Sequence, residues 1–386
     1  MAVSRQLTAE HDAALTAVID EVVLPGATEI DKLGEFPGQA IDAMAKAGLL
    51  GLASSAEVGG GGSGLAVAAE VIERLAGACG STAMVVLMHY AATAVIEAHG
   101  PREAREAIAA GRHLTTLAFS EAGSRSHFWA PLGTAARAGT EVRLDAHKSW
   151  VTSAGHADSY VWSSCPLRGE GPMTLWLVPS DTTGLSNKGS FDGLGLRGNA
   201  SSPILADNVR IPADAMLGED GTGLDIAMSA ALPWFLVLSA AFSLGIAEKV
   251  TTETARHLAS TRLAHLGITL ADQPVSRLAF GRMRLRTDEI RALLDATVTG
   301  LAQGLGEAAL RVLEVKALAA EAAGDVADQG MRLCGGSAFR KDMAIERHLR
   351  DSLAARVMAP TTEALLDFIA RAALGQPLLD PIPVRP

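Results

Sequence analysis

The feature that most constrains this chain is a double change of texture along its length. From about Thr8 to Gly111 the pattern is helical, with apolar residues at helical spacing over Ile41–Ala47 and a stop at Gly48. A glycine-rich loop, Glu57–Gly64, precedes two long Ala/Val/Leu/Ile segments, Leu65–Ala78 and Ser81–His99, which read as buried helices. From Leu114 to about Gly218 the runs shorten. Leu114–Phe119, Val142–Leu144, Tyr160–Ser163 and Thr174–Val178 are bounded by Gly, Pro, Asp and Ser, the pattern of a small β domain. From Leu224 to Leu374 the chain is helical again, with charged residues such as Arg256 and Arg262 set against Ala/Leu faces, as in a bundle.

The expected fold class is therefore α+β, mostly helical. The expected domains are an all-α N-terminal domain at 1–113, a β domain at 114–222 and a helical bundle at 223–386. A chain of 386 residues is too long for one compact core, which agrees with this division. Apolar residues at 48% and charged residues at 20% exclude a disordered chain. Abundant Ala and Leu favour helix.

Several function classes drop out. The net charge is −10 and no basic stripe is present, which argues against nucleic acid as a partner. The three cysteines, Cys79, Cys165 and Cys334, are far apart and show no metal-ligand spacing. Neither structural zinc nor a disulfide framework is expected, and reduced thiols in a cytoplasmic protein fit best. The N-terminus lacks the apolar run of a signal peptide. Ala230–Ala247 is the longest apolar stretch. It contains Pro233, Ser239 and Ser243 and reads as a buried helix, so no membrane partner is expected.

Three motifs carry chemistry. Phe119–Ser126 (FSEAGSRS) is followed by Lys148–Thr152 (KSWVT), with Trp150 thirty residues after Ser120. Gly193–Pro212 (GLGLRGNASSPILADNVRIP) closes the β region. Leu333–Asp351 (LCGGSAFRKDMAIERHLRD) pairs two glycines with an ERxxRD run. A lone tryptophan on a strand is usually core, and a lone GG is usually a turn; together, at these spacings, they say more. A flat apolar wall with hydroxyl or backbone donors beside it suits a flavin ring, whose polar edge gains negative charge on reduction. Glycines without side chains let backbone approach a pyrophosphate closely.

These residues together resemble the acyl-CoA dehydrogenase family over nearly the whole chain, from about Ile41 to Leu374. The first motif resembles the family's T-E-P-x-x-G-S loop and K-x-W-I-T strand. Ser120 stands for its Thr, Glu121 for its Glu and Ser126 for its later Ser, while Trp150 and Thr152 match outright. Arg197, Val209 and Pro212 fit the second motif, with Ser201 or Ser202 near the expected serine. Gly335, Gly336, Phe339, Glu346, Arg347, Arg350 and Asp351 fit the third in order. Gly48–Gly60 resembles the family's G-L-L-G-L-x-x-P-E-E-x-G-G, with Ser55 for Pro. Arg262 resembles an arginine that in the family meets the FAD of a neighbouring subunit, although His265 stands where Phe is usual.

The resemblance implies an acyl-CoA dehydrogenase fold, with N-terminal helices, a middle β domain and a C-terminal four-helix bundle. It implies FAD as cofactor, held by Phe119, Ser120, Ser126, Trp150, Thr152, Arg262, Arg332, Gly335, Gly336, Thr361 and Glu363. It implies an acyl thioester substrate on CoA or a carrier protein, with Arg125 and Ser126 beside it. It also implies an electron acceptor such as an electron-transfer flavoprotein or oxygen, and a homodimer or homotetramer.

The pattern breaks at the proton acceptor. In many family members the base is a Glu eight residues beyond the RD pair, and here that position is Ala359. The other usual place, about Leu232–Ser239, contains no acid. Three alternatives stay open. The base has moved, with His89, Glu121 and His127 as the leading candidates and Asp351 and Glu363 behind them; His89 is expected to face the flavin cavity. The reaction differs, as in flavin monooxygenases of the same fold, which need no α-proton base and for which Phe128 and Trp129 offer an aromatic pocket. Or the protein is a non-catalytic flavin-binding paralogue.

Overall fold

The computed structural model describes residues 5–124 and 127–379. Six helices open the chain: α1 Ala9–Val18, α2 Leu24–Leu33, α3 Gly38–Lys46, α4 Leu65–Ala78, α5 Gly80–His99 and α6 Arg102–Ala109. The Thr8 side chain caps α1 by accepting the His11 N–H. Helix α5 is apolar all round and buried along most of its length, the signature of a core helix.

Eight strands follow: β1 Thr115–Ala118, β2 Thr134–Ala138, β3 Glu141–Val151, β4 Ser159–Ser164, β5 Thr174–Pro179, β6 Leu185–Asn187, β7 Ser202–Pro212 and β8 Met216–Leu217. They form two four-stranded sheets, ordered β1-β4-β5-β8 and β2-β3-β7-β6. Only β1 and β4 pair in parallel within these sheets. Their inner faces, including Val142, Leu144, Trp162, Trp176, Val178 and Val209, make a second apolar core.

The chain then returns to helix: α7 Gly223–Ile226, α8 Leu232–Ser260, α9 Pro274–Ala302, α10 Ala308–Cys334, α11 Ile345–Val357 and α12 Thr362–Ala373. A short hairpin of β9 Arg262–Leu263 and β10 Ile268–Thr269 links α8 to α9. Helix α8 is the centre of this region and meets α4, α5, α9 and α10. Gly245 allows that approach: a Cβ there would lie 2.0 Å from the Glu73 carbonyl oxygen on α4. Two helical runs, Gly80–His99 and Gly223–Ser260, are long and apolar enough to cross a membrane, and most of each is buried inside the fold.

The β region is tied to the helices by polar contacts. Arg197 donates to the Asp31 carbonyl at 2.7 Å, and Arg350 holds the Asp31 carboxylate at 2.6 and 2.8 Å. The Leu196 N–H donates to Asp351 at 2.7 Å. Burial pushes the Asp351 carboxyl up to about 6, against the pull of that N–H and of Arg347. These contacts give Arg197, Arg350 and Asp351 structural work between elements.

Candidate active site

One apolar cleft of about 530 Å³, its open mouth included, lies where the β region meets α5 and the start of α8. Met88, Leu117, Phe119 and Phe128 form part of its wall, and Ala227, Ala231, Leu232 and Phe235 another part. Ser120, Ser149 and Trp150 line it, and Ala359 and Pro360 complete it. Among the described lining residues none carries a titratable side chain. Apolar walls with a few polar groups among them are the lining that small organic ligands favour.

Trp150 owes its position to a fault in a strand. Residues on β3 alternate between the sandwich core and the outside, and Lys148 points inward. Regular alternation would send Trp150 inward as well. The β3–β7 register shifts between Lys148 and Val151, and Trp150 takes a left-handed φ of 57°. The indole is turned out and left 71% exposed. An indole held out at the rim of an apolar cleft offers a flat face on which a ring can stack.

Below this rim lies a buried ion pair. Lys148 Nζ donates to Glu121 Oε1 at 2.5 Å, to the Ser163 carbonyl at 2.7 Å and to Ser163 Oγ at 2.9 Å. It also stands 5.0 Å from the Trp162 ring centre. The other Glu121 oxygen accepts N–H groups from Leu132 at 2.5 Å and Gly133 at 2.8 Å. Burial pulls the Lys148 ammonium down, and the Glu121 carboxylate pulls the other way. The Ser149 N–H donates to the Ser120 carbonyl at 2.9 Å, so the pair and this bond together clamp the Ser120 segment to β3.

The candidate bases stand elsewhere than expected. His89 does not face the cleft; its neighbour Met88 does. The His89 ring is fully buried between Leu50 and β1: Nδ1 accepts the Thr115 N–H at 3.2 Å, which leaves Nε2 to donate to the Leu50 carbonyl at 3.2 Å. Burial holds its pKa near 4, and its lone pair is already used. Glu121 has all its oxygens engaged in the clamp. His127 is exposed, with Nδ1 3.1 Å from the Ser124 carbonyl and its ring edge-on to Trp129. Glu363 is exposed in the first turn of α12. None of the four lines the cleft.

The predicted cofactor residues divide into groups. Phe119, Ser120 and Trp150 meet in the cleft. Thr152 lies two residues further along, its hydroxyl 3.2 Å from Ser201 Oγ. Thr361 caps α12 by accepting the Ala364 N–H. Arg262 is on the β9–β10 hairpin and donates to the Gly267 carbonyl. Arg332 is exposed on α10 and paired with Asp328 at 2.8 Å. Gly335 and Gly336 form an open turn after α10, Gly335 with a φ of 55° and no atom within 4 Å of a Cβ built on either. Arg125 and Ser126 lie outside the described residues. Phe128 lines the cleft, while Trp129 packs on Phe368 of α12, ring centres 5.4 Å apart. No group of three or more His, Cys, Asp or Glu side chains that could hold a metal ion is found among the described residues.

The sequence pointed to Leu232–Ser239 on this side of the wall but not to Ala227 and Ala231 before it. Ala227, Ala231 and Phe235 recur every four residues through a π-helical turn at Ala227–Ala231, a spacing that marks one helix face.

A second buried histidine yields a stability prediction. Among the described residues neither ring nitrogen of His348 on α11 has a hydrogen-bond partner, and burial, with Arg347 and Lys249 nearby, holds its pKa near 3. The unfolded chain takes up a proton below about pH 6.5 while the folded one does not, so stability is present above that pH and is lost as pH falls. Between pH 7.5 and 5 the native protein is expected to lose roughly 2 kcal/mol relative to His348→Leu. Urea unfolding of both at the two pH values checks this; parallel losses would contradict it.

Known proteins match this architecture along most of its length. The acyl-CoA dehydrogenase N-terminal domain matches residues 8–111, the middle domain 116–209 and the C-terminal domain 221–374. The short-chain specific acyl-CoA dehydrogenase of human mitochondria is 28% identical over 352 residues, covering 89% of this chain and 84% of that protein. The cyclohex-1-ene-1-carbonyl-CoA dehydrogenase of Geobacter metallireducens is 28% identical, covering 98% of this chain and 100% of that protein. The structure of butyryl-CoA dehydrogenase from Megasphaera elsdenii superposes with a TM-score of 0.89 at 21% identity, covering 96% of this chain and 100% of that one. With all three domains matched in order, the chain belongs to the acyl-CoA dehydrogenase family.

Proposed function

We propose that this protein is an FAD-dependent oxidoreductase acting on an acyl thioester, on CoA or on a carrier protein. The observation that carries the reading is Trp150, an indole left exposed at the rim of an apolar cleft. The residues fit a flavin: a flat apolar ring covers the indole, and Ser120 and Ser149 beside it offer hydroxyl and backbone groups to a polar edge. Phe119, Ser120, Ser126, Trp150 and Thr152 would hold that end of FAD. Thr361 and Glu363 stand beside the Ala359–Pro360 wall. Arg262, Arg332 and the Gly335–Gly336 turn would serve a pyrophosphate in a dimer or tetramer. FAD, when bound, supplies acceptance of a hydride. The chain's own walls, Met88, Leu117, Phe128, Leu232 and Phe235, exclude water and seat an apolar acyl group. Two relatives, the human and the Geobacter metallireducens proteins, are named for acyl-CoA substrates, which supports the thioester. The electron acceptor in this reading is an electron-transfer flavoprotein, and the compartment is the cytoplasm.

A second reading, a flavin monooxygenase that uses oxygen, is favoured by one observation. Ala359 stands at the usual base position, and no titratable described side chain lines the cleft. A reaction that needs no α-proton acceptor fits such a wall.

Trp150→Ala is the test of the carrying observation. Stacking on an aromatic ring contributes about 1–3 kcal/mol, so FAD affinity should fall roughly 10- to 100-fold. Equilibrium dialysis against FAD measures it, and unchanged affinity removes Trp150 from the site. The readings separate when the loaded protein is reduced by an external reductase: oxygen uptake coupled to substrate hydroxylation supports the second.

A further inference from the structure

Behind the cleft wall, on α10, stands Lys316. It is 1% exposed, and its Nζ donates to the Met358 carbonyl at 3.0 Å and the Pro360 carbonyl at 2.7 Å. These two carbonyls flank Ala359, and Ala359 and Pro360 line the cleft. Lys316 itself does not line it.

The arrangement is costly for a residue that only fills space. Among the described residues Lys316 forms no ion pair with a carboxylate, and Glu363 on α12 is the acid whose charge acts on it. Burial pulls the ammonium down to about 7. Keeping an ammonium out of water without an ion partner costs free energy, and a methionine would fill similar volume without that cost. What the lysine supplies is two hydrogen bonds, charge-assisted whenever the amine is protonated. They reach the connection from Met358 to Thr361, which belongs to neither α11 nor α12. Thr361 fixes one end of that connection by capping α12. Its middle, the part that forms the wall, is fixed from behind by Lys316.

We infer that Lys316 is a positioning residue of the active site, which bolts the Met358–Pro360 segment through its carbonyls and so sets where Ala359 and Pro360 face the cleft. The inference concerns the wall and holds whether the cleft serves a dehydrogenase or a monooxygenase.

The test uses the full chain with Lys316→Met and Lys316→Arg, which keeps the donors. A charge-assisted hydrogen bond contributes about 1.5–3 kcal/mol net, so local opening of the segment should become roughly 10- to 100-fold more frequent in Lys316→Met. Two readouts follow it: deuterium exchange of the 358–364 amides, and alkylation by iodoacetamide of an Ala359→Cys thiol. The native Cys79 and Cys334 are buried, and Cys165 is subtracted with the parent protein. Exchange within α4 should stay unchanged, and Lys316→Arg should restore slow labelling. Equal labelling in the parent and Lys316→Met overturns the proposal, as does a rise shared by α4, which marks general loosening. Should Lys316→Met fail to fold, Lys316→Gln replaces it. Its shorter amide should label faster than Lys316→Arg, and equal rates in those two overturn the proposal.

Discussion

Ala359→Glu is expected to speed anaerobic flavin reduction by an acyl thioester about 10²- to 10⁴-fold, the range that a positioned general base contributes. Ala359 is on the wall of the cleft that Met88, Phe119 and Phe235 also line. Apolar surroundings raise a carboxyl's pKa, while the Lys316 ammonium behind the wall lowers it. Stopped-flow absorbance with FAD-loaded protein and one reactive thioester measures the rate. A rate equal to or below the parent's would show that a missing acceptor at this position does not limit the reaction.

Lys148→Met is expected to destabilise the fold by about 3–5 kcal/mol, because it leaves the Glu121 carboxylate buried without its cation. Glu121 would keep only the Leu132 and Gly133 N–H groups. The double variant Glu121→Gln/Lys148→Met removes both charges and should recover more than half of the loss, since a neutral amide costs far less to bury than an ion. Urea unfolding of the two single variants and the double one gives the coupling. A loss below about 1 kcal/mol for Lys148→Met would mean that the pair contributes little to clamping Ser120 to β3.

The sequence carried the architecture further than the site. Helix, strand and helix followed each other legibly, because β1, β4 and β5 are short apolar runs closed by turn residues and α5 and α8 are long apolar ones. Strand β3 was read as two separate pieces, Val142–Leu144 and the Lys148–Thr152 motif, although it is one strand from Glu141 to Val151. An inward lysine and an outward tryptophan break its alternation, and only the partner carboxylate and the bulge explain them. His89 looked poised beside the cleft. What decides its state, the Leu50 carbonyl and the Thr115 N–H, lies 39 and 26 residues away in the chain. Glu121 and Lys148 lie 27 apart. Lys316 resembled any lysine on an alanine-rich helix, and only the turn of the chain after Val357 places two carbonyls against it. Motif spacing found the residues at the rim. Contacts across the fold, which no local pattern encodes, gave them their chemistry.

The most direct measurement is anaerobic titration of the FAD-loaded native protein with short, branched and cyclic acyl thioesters, followed by flavin absorbance. Bleaching by at least one of them, with formation of the unsaturated thioester, is the predicted result. An absence of bleaching by every thioester, in a protein that an external reductase reduces and oxygen then reoxidises, would contradict the thioester oxidoreductase; a protein that takes up no FAD at all would contradict the flavin site.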